Sequence, residues 1–179
     1  MDQPINTRRF EGARLQEAAF PDDAGEAPAE VVAALAAYAA PSPTGAPRDR
    51  VPVLAALQSS RLLVPVVALL GEVEYDEQGL AHDKSSDMAA VLLTGADGRT
   101  ALLAFTGTAS LQAWNPDARP VAVPTRVAAR AAVQDGAAAL LVDVAGPVPF
   151  VIEGDDLTAL AAGWTLARVG EHAAWLKQN

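Results

Sequence analysis

The stretch "HDKSSDM", His82–Met88, gathers an imidazole, an amine, two hydroxyls and two carboxylates on one short piece of chain. These are the groups of nucleophilic catalysis. Ser85 or Ser86 would attack, His82 or Lys84 would take the proton, and Asp83 or Asp87 would orient the base. Their spacing argues against that use. Working triads draw their members from separate segments, because every side chain must aim at one reacting atom; neighbours on one loop splay apart. No G-x-S-x-G elbow surrounds the serines, and the Ser-x-x-Lys order is missing. The same residues serve a turn. Lys84 and the aspartates can pair for about 0–1 kcal/mol when exposed, and Ser86 and Asp87 can bind nearby backbone amides at the entry to "MAAVLLTG". The reading is a recognition loop feeding a strand, with no catalytic residue assigned. Lys84, Ser85, Ser86 and His82 are the candidates should there be one.

A second constellation is Trp114 with Arg119, which would form an aromatic-basic ledge. With Lys84, Ser85, Ser86, Asp87 and Met88 it makes up the expected partner-binding surface. Glu72, Glu74 and Asp76 alternate as on a solvated strand face rather than a hard-cation site. The two histidines, His82 and His172, are far apart, so no metal is expected. "GADGR" lacks the Walker lysine, and "GTASLQAW" reads as a capped short helix rather than a phosphate cradle. No cofactor is expected.

Composition narrows the rest. A chain of 179 residues suits one domain, and buries about 70% of its unfolded surface without staples. Cysteine is absent, which removes disulfides, thiolate nucleophiles and Cys-bearing zinc sites. The net charge of −9 has the wrong sign for a nucleic-acid surface and discourages binding to anionic lipid. The N-terminus has no continuous apolar core of a signal peptide. The apolar run Leu62–Leu70 is far shorter than the ~20 residues a membrane span needs. A cytoplasmic protein without nucleic-acid or membrane partners is expected; a homodimer through a sheet edge or the tail is compatible with the apolar tail.

Residues 1–26 read as a flexible N-terminal arm, 27–163 as one domain and 164–179 as a tail, in which Trp164 and Trp175 pack back or face a partner. Helices are expected at Pro28–Ala40, around "VPVLAALQSS", at Thr108–Trp114, at "TRVAARAAVQDG" and at Asp155–Gly163. Thr108 and Thr125 are expected to cap theirs. Strands are expected from Arg61, on either side of the Asp97-Gly98 hairpin, at Arg119–Val123, and at "AALLVDV" and "VPFVIE". Pro65 cannot donate to a ladder, so its strand is expected at a sheet edge or a bulge. Hairpins with helical crossovers predict an α+β fold: a mixed, largely antiparallel sheet of about five to six strands with helices packed on it.

The segments "LLVPVV", "KSSDMAAVLLTGADGRTALLAFTG", "LQAWNPDARPV" and "VDVAGPVPFVIEGDDLTALAAG" together resemble the SseB N-terminal-domain family in its actinobacterial form, from about Arg50 to Gly163. The family name joins enhanced serine sensitivity with a type III secretion label. The resemblance implies a small cytosolic module used for binding or regulation, and carries over no catalytic residue. The expected function is therefore a non-enzymatic protein-interaction or regulatory module with an unknown protein partner. A serine/lysine-dependent hydrolase or transferase on the Lys84–Ser86 loop is the alternative. An accessory role in serine or sulfur metabolism follows only from the family's name.

Overall fold

The computed structural model describes residues 6–7, 20, 23–42, 45, 47–69, 87–169 and 172–177. Along them run β1 (Asn6–Thr7), α1 (Ala29–Ala39), α2 (Val51–Gln58), β2 (Arg61–Leu69), β3 (Asp87–Thr94), β4 (Thr100–Ala104) and α3 (Thr108–Trp114). They are followed by β5 (Arg119–Pro124), α4 (Thr125–Gln134), β6 (Ala139–Val142), β7 (Phe150–Glu153), α5 (Gly154–Ala161), β8 (Thr165–Val169) and β9 (His172–Leu176). The main sheet has the order β5-β2-β3-β4-β6-β7, with β1 added on β3, and β8-β9 is a separate hairpin. Among the described residues β4 and β6 run parallel and the other strand pairs are antiparallel. The expected α+β class and mixed sheet are what the chain forms. The β8-β9 hairpin, which the sequence leaves as an unassigned tail, is additional.

Side chains that alternate along a strand face opposite sides of the sheet, and here both sides are covered. Leu62, Val64, Ala90, Leu92, Leu102, Ala104, Leu140, Val142, Phe150 and Ile152 point into a large core under α1, α2, α4 and α5. Leu63, Val91, Leu103 and Phe105 point the other way, into a smaller core closed by Leu111 of α3 and by Trp114. Alanines such as Ala128, Ala129 and Ala132 let α4 lie close against the sheet.

The β2 strand is interior, not an edge: it pairs with β5 through Arg61–Val66 and with β3 through Val66–Leu69. Its proline is tolerated for a registration reason. Leu63 exchanges both backbone hydrogen bonds with Phe105, at 2.8 Å each, so its amide points away from β5. By alternation Pro65, two residues on, also points its missing donor away from β5. There the ladder is interrupted between Phe105 and β3. Opposite it, Pro120 and Pro124 turn their ring nitrogens to the outer edge of β5. That edge is left with Ala122 as the outward donor within the strand, a poor template for adding another strand.

The Asp97-Gly98 turn forms as expected. Gly98 takes φ +78°, its amide donates to the Gly95 carbonyl, and Gly95 pairs with Arg99. Two caps differ from expectation. Pro124 and Gly107 occupy the N-cap positions, so Thr125 and Thr108 are the first helical residues. The Thr125 hydroxyl donates instead to the Ser60 carbonyl at 3.0 Å, tying α4 to the start of β2.

The tail hairpin docks through polar pairs. The Gln58 amide accepts from the Leu166 amide at 2.8 Å and donates to its carbonyl at 3.3 Å. Trp175 packs on the large core while its indole N–H donates to Asp156 at 3.0 Å. Trp164 remains 39% exposed.

Leu140 lies fully buried at the centre of the sheet. Leu140→Ala is expected to cost about 3 kcal/mol in urea unfolding, from lost transfer energy plus the residual cavity. Val133→Ala, on the exposed side of α4, should stay within about 0.5 kcal/mol. Similar losses at both sites would contradict this assignment of the core.

Candidate functional site

The reactive-looking stretch contributes little that can be placed. His82, Lys84, Ser85 and Ser86 lie outside the described residues, as do Glu72, Glu74 and Asp76. Asp87 and Met88 open β3, their backbones opposite Leu69 and Ala68 of β2. Trp114 is half-buried, its ring 5.5 Å from that of Phe105 at a 31° tilt, so it finishes the smaller core. Arg119 is exposed at the start of β5, opposite Val66. The cations that do stack on rings among the described residues are Arg48 over Tyr38 and Arg50 over Phe150.

A different cluster forms where the parallel strands end. β4 leads through Phe105 and Thr106 into α3, while the chain beyond β6 turns at Asp143 toward β7 on the other side. Diverging connections at the carboxyl ends of adjacent parallel strands open a crevice, which is where ligands bind in open sheets with parallel strands. At its floor Asp143 is only 3% exposed. One carboxylate oxygen accepts from the Thr106 amide at 2.9 Å and from the Ser110 hydroxyl at 2.5 Å. The other accepts from the Thr106 hydroxyl at 2.6 Å. Asp143 also adopts φ +53°, a left-handed conformation disfavoured for a residue with a side chain, though aspartate is among its commoner occupants.

Ser110 belongs to the first turn of α3, so the carboxylate that follows β6 is tied to that turn through a hydroxyl. Thr108, expected to cap, turns its amide and hydroxyl to the Gly25 carbonyl, at 2.7 and 3.0 Å. That contact is close. A side chain at Gly107 would bring its Cβ to 2.8 Å from the Ala27 nitrogen, so the segment Asp23–Ala27 lies directly on the start of α3.

Arg61 secures the segment from beneath. Its side chain is 7% exposed and forms a two-pronged pair with Asp23, at 2.5 and 2.8 Å. It also donates to the Glu26 carbonyl at 2.5 Å and to the Thr106 carbonyl. The guanidinium hydrogen-bonded to Asp23 holds that carboxyl below its ordinary range. Thr106 is therefore the joint of the site: its carbonyl receives the buried cation, and its amide and hydroxyl serve the buried carboxylate.

These pieces surround a cleft of about 600 Å³. One wall is Ala24–Ala27, a second is Val32, Leu35 and Ala36 of α1, a third runs from Thr106 to Ala113, and the fourth is the loop from Asp143 to Val148. The size and the largely apolar lining match small-ligand pockets. No histidine, lysine or arginine among the described residues lines it. Among the described residues no group of three or more histidines or carboxylates could hold a metal ion, and no helix is long and apolar enough to cross a membrane. Asp143 escaped the sequence reading because "ALLVDV" looks like uninterrupted strand. The available signal was a lone carboxylate closing an apolar run just before "AGP".

Two sets of variants test the site's construction. Asp143→Ala removes three hydrogen bonds and leaves a Cβ at positive φ, so it should lose about 3 kcal/mol in urea unfolding. Asp143→Gly frees the backbone and should lose about 1 kcal/mol less; an equal or larger loss for glycine would show that the left-handed backbone carries no strain. Asp23→Asn should cost about 2 kcal/mol near neutrality by weakening the partner of a buried cation. Because the Asp23 carboxyl is lowered in the folded state, its contribution is complete above about pH 4 and lost as pH falls through the folded value. The urea midpoints of wild type and Asp23→Asn should therefore converge below pH 4. A constant gap down to pH 2 would refute the pair's role.

The sequence profile of the SseB protein N-terminal domain matches residues 18–159. That interval contains both Asp23–Arg61 and Thr106–Asp143, the two ends of the polar network. No curated protein and no solved structure matches the chain. The profile spans most of the sequence and every wall of the cleft, and the chain belongs to the SseB N-terminal-domain family.

Proposed function

We propose that the chain is a non-enzymatic recognition module, and that its cleft receives a short segment of a partner protein. The observation carrying this reading is that the cleft's hydroxyl protons are already committed within the chain. Thr106 and Ser110 donate to Asp143, and Thr108 donates to Gly25. With no imidazole or amine beside them among the described residues and no thiol in the chain, these groups position backbone rather than activate a nucleophile. The walls are small and apolar, and Val32 at their margin is 50% exposed, a large side chain left open to solvent. An acidic, cysteine-free chain suits work in the reducing cytoplasm. We place the docking surface in the cleft rather than around Lys84–Met88, Trp114 and Arg119; the Trp114 ring packs on Phe105.

Peptides selected from a random displayed library on the whole chain should converge on a common apolar motif. Ala113→Phe, which fills the cleft from an exposed position on α3, should abolish that binding with unchanged thermal unfolding. No convergence, or equal binding by the filled variant, would defeat the proposal. A fluorophosphonate probe supplies the opposing arm. Labelling that disappears in Ser85→Ala, Ser86→Ala or Ser110→Ala would replace the module with a serine-dependent hydrolase.

A further inference from the structure

We infer that the partner segment carries a basic side chain, lysine or arginine, among its apolar residues; this rests on the recognition reading above and specifies what the cleft selects. Three observations lead to it. Among the described residues, the charged ones lining the cleft are Glu26 and Asp143, both acidic. Arg61, the nearest buried cation, is neutralised by Asp23 and directs its remaining donors to the Glu26 and Thr106 carbonyls, behind the cleft wall. The first turn of α3 already holds the Asp143 carboxylate through the Ser110 hydroxyl, so a second anion there meets like charge.

The side-chain chemistry facing an occupant is thus one-sided. The hydroxyls of Thr106, Thr108 and Ser110 have donated their protons and present lone pairs, and the two carboxylates present only acceptors. Asp143 is too buried to be touched across its whole carboxylate. Its field nonetheless extends into a cleft whose low-polarity walls screen it weakly. An apolar ligand fits the walls alone; an apolar ligand with a cation also meets the acceptors, and an anion is repelled. A chain of net charge −9 draws the same kind of partner from a distance.

Three pentapeptide mixtures provide the test. Each is built from Ala, Val, Leu, Pro and Gly around a central lysine, norleucine or glutamate, and binding to the whole chain is read by size-exclusion retention with mass spectrometry. The lysine series should be retained about tenfold over norleucine, the gain of a charge-assisted contact, and glutamate should be excluded. The preference should shrink in 0.5 M salt, about as ordinary screening requires. Glu26→Gln should reduce it about threefold; only the backbone carbonyl of Glu26 is tied into the fold, so this variant stays folded where an Asp143 substitution would not serve.

Equal retention of lysine and norleucine, both lost in Ala113→Phe, would overturn the basic requirement and leave the recognition module standing. Retention of none of the mixtures, or undiminished retention by Ala113→Phe, would overturn both. A lysine preference that vanishes in Ala113→Phe and weakens in Glu26→Gln establishes the inference.

Discussion

A carboxylate removed from water must recover in hydrogen bonds what it loses in hydration, and the end of the sheet is organised around one such group. Asp143 gathers three donors from Thr106 and Ser110, and in doing so binds the end of β6 to the end of β4 and to the first turn of α3. Arg61 imposes the mirror requirement: a buried cation whose donors end on Asp23, Glu26 and Thr106. The two charges do not pair with each other. They meet at Thr106, on different atoms, so neither can be satisfied unless the turn between β4 and α3 takes one conformation. Buried polar networks specify a single arrangement because partial satisfaction costs so much.

Topology explains why this network lies beside a cleft rather than in a solid core. The β4 strand and its parallel neighbour β6 send their chains in opposite directions, one under the sheet toward β5 and one outward to β7. Among the described residues the space beside the departing chains is bordered by short side chains of α3, the loop after Asp143, the segment Ala24–Ala27 and one face of α1. Gly146 is needed there as well, since a Cβ would come within 2.9 Å of the Asp143 Cβ. Small residues and glycine keep the walls close to one another while leaving their apolar surface open.

The same economy governs the edges. Pro120 and Pro124 leave Ala122 as the outward donor of β5, and the carbonyl of Val151 on β7 accepts from Arg50 at 2.8 Å. Edges managed in this way disfavour strand addition, which turns attention to the cleft as the place where another molecule engages. Among the described aromatic residues Phe150 packs against Tyr38, Phe105 against Trp114, and Trp175 on the large core, while Trp164 stays exposed.

Local rules carried far in this chain. Alternation of Leu and Val announced the strands, alanine-rich runs the helices, and Asp97-Gly98 the hairpin, because period and turn chemistry act over a few residues whatever surrounds them. The absence of cysteine and the acidic charge were equally plain from composition. Pro65 looked like an edge signal because a missing donor is visible in sequence, whereas the gap in the neighbouring ladder that accommodates it is not. Thr108 and Thr125 carried the right chemistry for caps, yet carbonyls of Gly25 and Ser60 claimed their hydroxyls. The site itself was decided only by tertiary structure. Asp23, Arg61, Thr106 and Asp143 are spread over more than a hundred residues, and the pairing of β4 with β6 brings the last two together. A side chain's local sequence states what it can donate or accept; which partner it meets depends on strand order, and strand order is settled by the whole sheet at once.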